Sequence, residues 1–333
     1  MSSADKYTDA VCARLDSVSD TSDTLYIGGG TPSLLGAQRI GKIVSCAKRV
    51  LTEDAEITVE VNPGDNLTEL LPKLADCGVN RVSIGMQSYC DDELRLLTRR
   101  HSAKDVDNAV RAARSSGIEN ISLDVMLGIE GQTPRSLNKT LNYCADSGAT
   151  HVSAYMLKIE RGTPFSKKGR YVPDDDLQAD LYLQTVETLH KLGFEQYEIS
   201  NFCKNGRRSR HNMKYWLDEE YIGIGPAAHS YYKGMRFYYP RDINGFIEGQ
   251  GPISDGVGGE YDEYVMLRLR LTDGLDTAKL NRLYPKDEKR TEKLIEKAKL
   301  LSDKGLIVLN NGIVSLTVEG FLVSNSVILE LIG

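Results

Sequence analysis

No two of the six cysteines in this 333-residue chain share a short loop. They stand at positions 12, 46, 77, 90, 144 and 203, and the closest pair, Cys77 and Cys90, is 13 positions apart. CxxC and CxxxC spacings are absent, so no thiolate clamp for a metal is built on one turn of chain. No apolar run approaches the ~18 residues of a membrane-spanning helix. The opening MSSADKYTDA has neither the basic stretch nor the apolar core of a signal peptide. The reading is therefore a cytoplasmic protein with reduced thiols and no integral membrane segment. Positive charge is in deficit: 41 Lys+Arg against 47 Asp+Glu leaves a net charge of −6, which argues against a nucleic-acid partner. Low-complexity tracts and tandem repeats are missing too. With 41% hydrophobic and 26% charged residues the chain has the composition of a folded globular protein. Its length exceeds what one core needs, so a main domain and a smaller one are expected.

What is present is an alternation. Short β-rich runs (Thr24–Ile27, Ile57–Val61, Arg81–Met86, Ile121–Met126, His151–Leu157) are separated by helix candidates near residues 35–50, 66–77, 104–116, 135–147 and 174–192. Gly78, Gly117, Gly148 and Gly193 fall just past four of them, where a left-handed cap is wanted. Strand, helix and glycine repeated in this way predict βα units on a parallel sheet. Either an open doubly wound sheet or part of a barrel fits. Polar residues near the strand ends (Glu60, Gln87, Asp124) favour the barrel, as does an opening helix, Asp5–Val18, with no strand before it. The expected organisation is a partial barrel over residues 1–200 and a loop-rich region over 201–250. A winged-helix-like domain is expected over 255–333, with a hairpin turning at Asn310-Asn311-Gly312.

Several motifs invite a functional reading beside a plainer one. Gly28-Gly29-Gly30-Thr31-Pro32 after the first strand lets backbone approach a ligand, or is simply a tight turn. Gly36 to Lys42 matches GxxxxGK, but Ile43 stands where a magnesium-binding hydroxyl belongs and the segment reads as helix; the match is fortuitous. Glu60 and Asp124 are carboxylates in apolar strands. Such groups are costly unless paired, either with Arg81 or Arg99 or with a ligand's amine or hydroxyls. Gln87 could serve a ligand as neutral donor and acceptor. His211-Asn212-Met213-Lys214-Tyr215-Trp216 holds the only Trp and comes after the basic run Arg207-Arg208-Ser209-Arg210. That string suits either a structural aromatic cluster or a heme site, with imidazole on iron and aromatics on the macrocycle. His229 comes after GIGPAA, a stretch able to abut a ligand.

YIGGGTPSLL, EITVEVNPGD, GVNRVSIGMQSY, HNMKYW, YIGIGPAAHS and the Val318–Asn325 segment, taken in order along nearly the whole chain, resemble the HemW family. These are heme chaperones of the radical SAM superfamily, related to oxygen-independent coproporphyrinogen III oxidase of porphyrin biosynthesis. The resemblance implies a partial (β/α)6 barrel with a C-terminal winged-helix-like domain. It also implies S-adenosylmethionine contacts at Gly29, Gly30, Thr31, Glu60, Gln87, Arg99 and Asp124. Lys158 and His229 match adenosine-lining positions with different residue types. The resemblance further implies a heme site with His211 on the iron and Asn212, Tyr215 and Trp216 in its loop. Relatives carry a first strand running into CxxxCxxC, whose thiolates hold a 4Fe–4S cluster. Here the helix at Asp5-Lys6-Tyr7 matches the helix that comes after that segment in relatives, so the first barrel strand and the cluster ligands are expected to be missing. The expected function is a heme chaperone serving heme-accepting proteins, without radical catalysis by the chain as written. The alternative is a coproporphyrinogen-oxidase-like enzyme from a chain truncated at its N-terminus.

Overall fold

Strand and helix alternate through the first of two compact units, Met1–Glu195 with Ser200–His211. The computed structural model describes residues 2–160, 164–167, 169 and 171–333. The unit opens with α1 (Ser3–Leu15), whose cap residue Ser2 and Asp5 satisfy each other's backbone N–H groups. Next come β1 (Ser22–Ile27), α2 (Gly36–Ala47), β2 (Leu51–Val61), α3 (Leu67–Asp76), β3 (Arg81–Gln87), α4 (Asp91–Leu96), α5 (Ala103–Ser115), β4 (Asn120–Leu127), α6 (Pro134–Asp146), β5 (His151–Met156), α7 (Pro164–Lys167), α8 (Asp175–Lys191), β6 (Glu195–Gln196) and β7 (Asn201–Cys203). Ser102 and Asp105 box the start of α5, and Thr133 with Ser136 that of α6. Gly78, Gly117, Gly148 and Gly193, at φ of 103°, 79°, 73° and 82°, close α3, α5, α6 and α8 as the sequence predicts.

The sheet order is β1-β2-β3-β4-β5-β7-β6. Strands β1 to β5 are parallel, and β7 returns antiparallel to β5. Side chains alternate between two faces, and the faces differ in kind. Val59, Val82, Ile84, Leu123 and Val152 lie on the face covered by helices and are fully buried. Burying each contributes about 1.5–3 kcal/mol. The opposite face carries Thr58, Glu60, Arg81, Ser83, Ser122, Asp124, His151 and Ser153. Most of these are also removed from solvent.

One expectation needs correcting. The HNMKYW string, read as part of an irregular region, lies in a helix, α9 (Arg210–Trp216). Seven residues are too few for a helix to stand alone. Contacts of its first turn with β1 and β2 supply what local propensity does not.

The second unit comprises Gln196–Ile199 and Asn212–Gly333, so the boundary falls inside α9. It holds the antiparallel strands β8 (His229–Tyr232), β9 (Met235–Tyr238) and β10 (Ile253–Val257), with α10 (Ile243–Ile247) in the connection. Then come α11 (Tyr261–Arg268), β11 (Leu275–Asp276), α12 (Thr277–Leu283), α13 (Glu288–Asp303), β12 (Ile307–Asn310), β13 (Ile313–Leu316), α14 (Val318–Leu322) and α15 (Ser324–Ile332). Leu294, Ala298 and Leu301 of α13 pack with Val327, Ile328 and Leu331 of α15 as this unit's core. The hairpin turns at Asn311 and Gly312, both at positive φ (49° and 80°), the backbone a two-residue turn between twisted strands requires.

Candidate functional site

Glu60 stands near the C-terminal end of β2, on the polar face. One oxygen, Oε1, accepts the Tyr26 hydroxyl from β1 at 2.8 Å, and the other accepts the Gly29 N–H at 3.0 Å. The glycine run is thus tied to the sheet by a carboxylate. Gly28 has a steric reason as well: a Cβ there would stand 2.6 Å from the Glu60 carboxyl and from the Tyr26 ring. Gly29 and Gly30 are required for backbone instead, at φ of 80° and 158°, with open space around them. Thr31 is the residue before the short turn Pro32–Leu35 and makes no side-chain cap bond there.

Asp124, on β4, accepts the Ser83 hydroxyl at 3.0 Å. The residue is half-buried but its carboxyl is deeply set. Desolvation pushes that carboxyl up to about 7, and the Glu60 charge adds to the effect, while the bonds from Ser83 and Ser153 and the charge of Arg81 oppose it. Arg81 is 1% exposed, and its Nε has no hydrogen-bond acceptor among the described residues. Arg99, just past the turn after α4, is exposed as a residue; partial desolvation of its guanidinium lowers its pKa and the charge of Asp124 draws it back up. Burial and Glu60 together raise the Tyr26 phenol far above its ordinary value. Glu60, Asp124, Tyr26, Arg81 and Arg99 therefore form one electrostatic neighbourhood. It combines the two acceptor oxygens of Glu60, the Asp124 carboxyl pushed up to about 7 and two guanidinium groups. That set can take a ligand bearing an amine and hydroxyls.

Gln87 closes β3 in a left-handed conformation, φ 68°, although it is not glycine and is 7% exposed. Such backbone persists only where neighbours impose it. The pairing of β3 with β4 slips between Ile84 and Gln87. Immediately after, the Ser88 hydroxyl donates to Glu93 at 2.6 Å and accepts the Cys90 N–H at 3.0 Å. The Gln87 amide folds over Gly85 beside Asn62.

His211 lies in the first turn of α9, against β1 and β2. Its Nδ1 is 2.9 Å from Thr24 Oγ1, and its ring stacks on Tyr26 at 5.1 Å between centroids and 21° between planes. Its backbone N–H donates to Glu56 at 3.2 Å. Arg210 beside it donates to the Asp54 carbonyl at 2.7 Å and to the Asp23 carboxylate at 3.1 Å. Tyr26 thus touches two expected sites at once, the imidazole with its ring and Glu60 with its hydroxyl. Sequence reasoning missed Thr24 and Tyr26. A period-2 reading of β1 would have put both on one face, but their partners depend on register.

Asn212, Tyr215 and Trp216 continue α9 in the second unit. There Tyr215, 36% exposed, sits edge-on to Tyr221 at 4.6 Å. His229 also belongs to that unit; it is exposed on β8 and stacked on Tyr238 at 5.3 Å. Lys158 is turned to solvent and paired with Glu160 at 3.3 Å, so the structure does not gather it with Glu60 and Asp124.

The cysteines do not fit an iron–sulfur cluster. Cys12, Cys46 and Cys144 lie on α1, α2 and α6, Cys77 and Cys90 cap α3 and α4, and Cys203 is on β7. Cys12 and Cys46 come close enough that the second helps burial push the first thiol up to about 12, but they are two, not three. Among the described residues no three His, Cys, Asp or Glu side chains group to hold a metal ion. Nor, among them, is any helix long and apolar enough to cross a membrane.

Comparison with known proteins gives a consistent picture. Residues 10–144 match the radical SAM superfamily, and residues 260–323 match the HemN C-terminal domain. The heme chaperone HemW of Bacillus subtilis is 35% identical over 325 residues, covering 93% of this chain and 85% of the relative. HemW of Mycobacterium tuberculosis is 32% identical over 335 residues, covering 96% and 83%. Among solved structures, the coproporphyrinogen III oxidase HemN of Escherichia coli superposes with a TM-score of 0.83 over 98% of this chain and 83% of that one. At 18% identity it speaks for the fold: an α/β radical-SAM-like sheet with a small C-terminal domain.

Proposed function

The chain belongs to the HemW heme chaperone family of the radical SAM superfamily, and from that premise we propose that it binds heme through α9 and passes it to heme-accepting proteins in the cytoplasm. Heme is the cargo. His211 supplies an axial nitrogen to the iron, and Tyr215 and Trp216, one turn further along the helix, contribute aromatic surface to the macrocycle, with Asn212 beside them. The observation that carries the reading is the held imidazole of His211, fixed by Thr24 and Tyr26 rather than left to sample rotamers. Preorganisation of this kind favours ligation over a chance surface histidine.

The second element of the proposal is a weak S-adenosylmethionine site at Gly29, Gly30, Thr31, Glu60, Gln87, Arg99 and Asp124. Its acceptors suit the ligand's amine and hydroxyls, and the glycine run admits close backbone approach. Cofactor-driven radical chemistry needs a cluster that these cysteines do not hold, so no step is assigned to it. In architectural terms, β1 to β5 read as part of a (β/α)6 barrel with β1 in second place, and α11 to α15 with their hairpin as a winged-helix-like domain.

The test is a hemin titration of the wild type and His211→Ala, monitored in the Soret region. Loss of the wild-type spectrum and at least a tenfold weaker Kd in the variant are expected. An unchanged spectrum and affinity would remove His211 from the iron. Turnover of coproporphyrinogen by this chain would favour the oxidase reading instead.

A further inference from the structure

Cys12 and Cys46 face each other across two helices that run side by side, and we propose that they are a dithiol site which a small organic disulfide oxidises to a reversible Cys12–Cys46 bond, stapling α1 to α2. The proposal is independent of the heme reading above.

The placement follows from how α1 and α2 pair. Arg39 of α2 donates to Asp5 of α1 at 2.8 Å, Lys42 pairs with Asp9, and Arg49, just past α2, donates to the Leu15 carbonyl at 2.7 Å. From the first of these contacts to the last, both segments advance by ten positions, so they run in the same direction. Cys12 stands seven positions after Asp5, and Cys46 seven after Arg39. Seven residues are about two helical turns, which returns each cysteine to the side of its helix that carries the ion pairs. The sulfur agrees with this register: Cys12 Sγ lies 3.9 Å from the Lys42 carbonyl oxygen, one turn before Cys46. Helical side chains lean toward the preceding turn, so the Cys46 thiol is directed to the level where the Cys12 sulfur sits. Burial and the adjoining Cys46 thiol together push the Cys12 thiol up to about 12. Cys77 also stands against α2, but at Gly41, five positions and about 140° of helical turn from Cys46.

Cys12 is 7% exposed and Cys46 half-buried, so Cys46 is the sulfur that meets the oxidant. Its thiolate attacks one sulfur of the small disulfide and expels one thiolate. The Cys12 thiolate then attacks the Cys46 sulfur and expels the second. The protein dithiol gives up two electrons and two protons, and the small disulfide becomes two thiols. In mesophile cytosol such bonds are usually transient and redox-sensing. The chain closed by this one, residues 12–46, carries β1 and the run Gly28-Gly29-Gly30. Closing a loop of that length restricts the unfolded chain and so stabilises the fold.

The experiment treats the fully reduced 333-residue chain with oxidised glutathione. Free thiols, released glutathione, a tryptic map after alkylation without reduction, and thermal unfolding are read for wild type, Cys12→Ser, Cys46→Ser and Cys77→Ser. Wild type and Cys77→Ser are expected to lose two thiols, to release two glutathiones per chain and to join tryptic peptides 7–14 and 43–48. Cys12→Ser is expected to stop with one glutathione held on Cys46, and Cys46→Ser to react at least tenfold more slowly than wild type. Oxidation should raise the wild-type midpoint by on the order of 5 °C. Dithiothreitol should return it, and neither Cys12→Ser nor Cys46→Ser should show the rise. Six free thiols after treatment, or a bond mapped to another pair, overturns the proposal. So does wild type stopping at a mixed disulfide on Cys46, since the two sulfurs would then be out of bonding reach. A mapped Cys12–Cys46 bond with an unchanged midpoint overturns the staple. If a serine variant fails to fold, the wild-type map and midpoint decide alone.

Discussion

The hydroxyl of Tyr26 and the carboxylate of Glu60 meet at 2.8 Å, joining β1 to β2 across the polar face of the sheet. Tyr26→Phe deletes that bond and leaves the ring in place against His211. Glu60 Oε1 then loses its donor, while Oε2 keeps the Gly29 N–H. Because Glu60 is only half-buried, a loss toward the lower end of the range for a bond to a charged acceptor is expected, about 1–2 kcal/mol. Urea unfolding at pH 7 should show a lower midpoint with an unchanged slope. Hemin affinity should hold, since the stacked ring remains. A midpoint equal to wild type would mean that the bond contributes nothing.

Asp124 offers a test with a definite pH window. Its carboxyl titrates near 7 in the folded protein and near 3.8 in the unfolded chain, chiefly because burial penalises the charge. Between those values the folded state holds more protons than the unfolded one, so this group's contribution to stability falls as pH rises. Asp124→Asn removes the penalty and keeps an acceptor for the Ser83 hydroxyl. The variant should match wild type at pH 4. By pH 8 it should be more stable, by on the order of 2–4 kcal/mol as an upper figure. Thermal melts from pH 4 to 8 check this, and parallel curves for the two proteins would contradict it.

The 333-residue chain is expected to form no 4Fe–4S cluster on anaerobic reconstitution. A cluster needs three thiolates at one place, and the six cysteines are spread over six elements, with Cys12 and Cys46 adjoining. Absorbance near 400 nm, iron and sulfide content, and 5′-deoxyadenosine after dithionite and S-adenosylmethionine are the measurements. Stoichiometric iron and sulfide together with 5′-deoxyadenosine would refute the expectation. Adding an upstream CxxxCxxC segment should bring both signals up.

Much of the first unit could be read in advance because its signals are local. Gly78 and Gly117 mark helix ends by a backbone demand that few other residues meet, and the apolar runs between them fix which segments are strands. Glu60 and Asp124 were conspicuous for a similar reason: a charge in an apolar strand asks for an explanation. Thr24 and Tyr26 were not conspicuous. Hydroxyls on a short strand are unremarkable until the register, Thr24 with Glu56 and Tyr26 with Thr58, sets them beside particular neighbours. Register is a long-range property that one sequence does not display. The helix at Arg210–Trp216 escaped for a related reason, being too short to announce itself and held by strands some 150 positions upstream. Lys158 comes from resemblance alone, and its side chain lies in solvent, paired with Glu160.

The strands β1 to β5 lie in the sheet in the order in which they occur in the chain, starting at residues 22, 51, 81, 120 and 151. Each new strand therefore pairs with the one made just before it, and the loop to be closed is always one intervening helical segment. The entropy of closing such loops grows only slowly with length, and short sequence separations favour fast assembly. On a ribosome delivering about 5–20 residues per second, the sheet can be extended one strand at a time from its β1 edge. The His211 imidazole, 187 positions after the threonine it bonds, arrives only when that surface already exists. His211 is thus among the last parts of this unit to be installed, on a template finished before it.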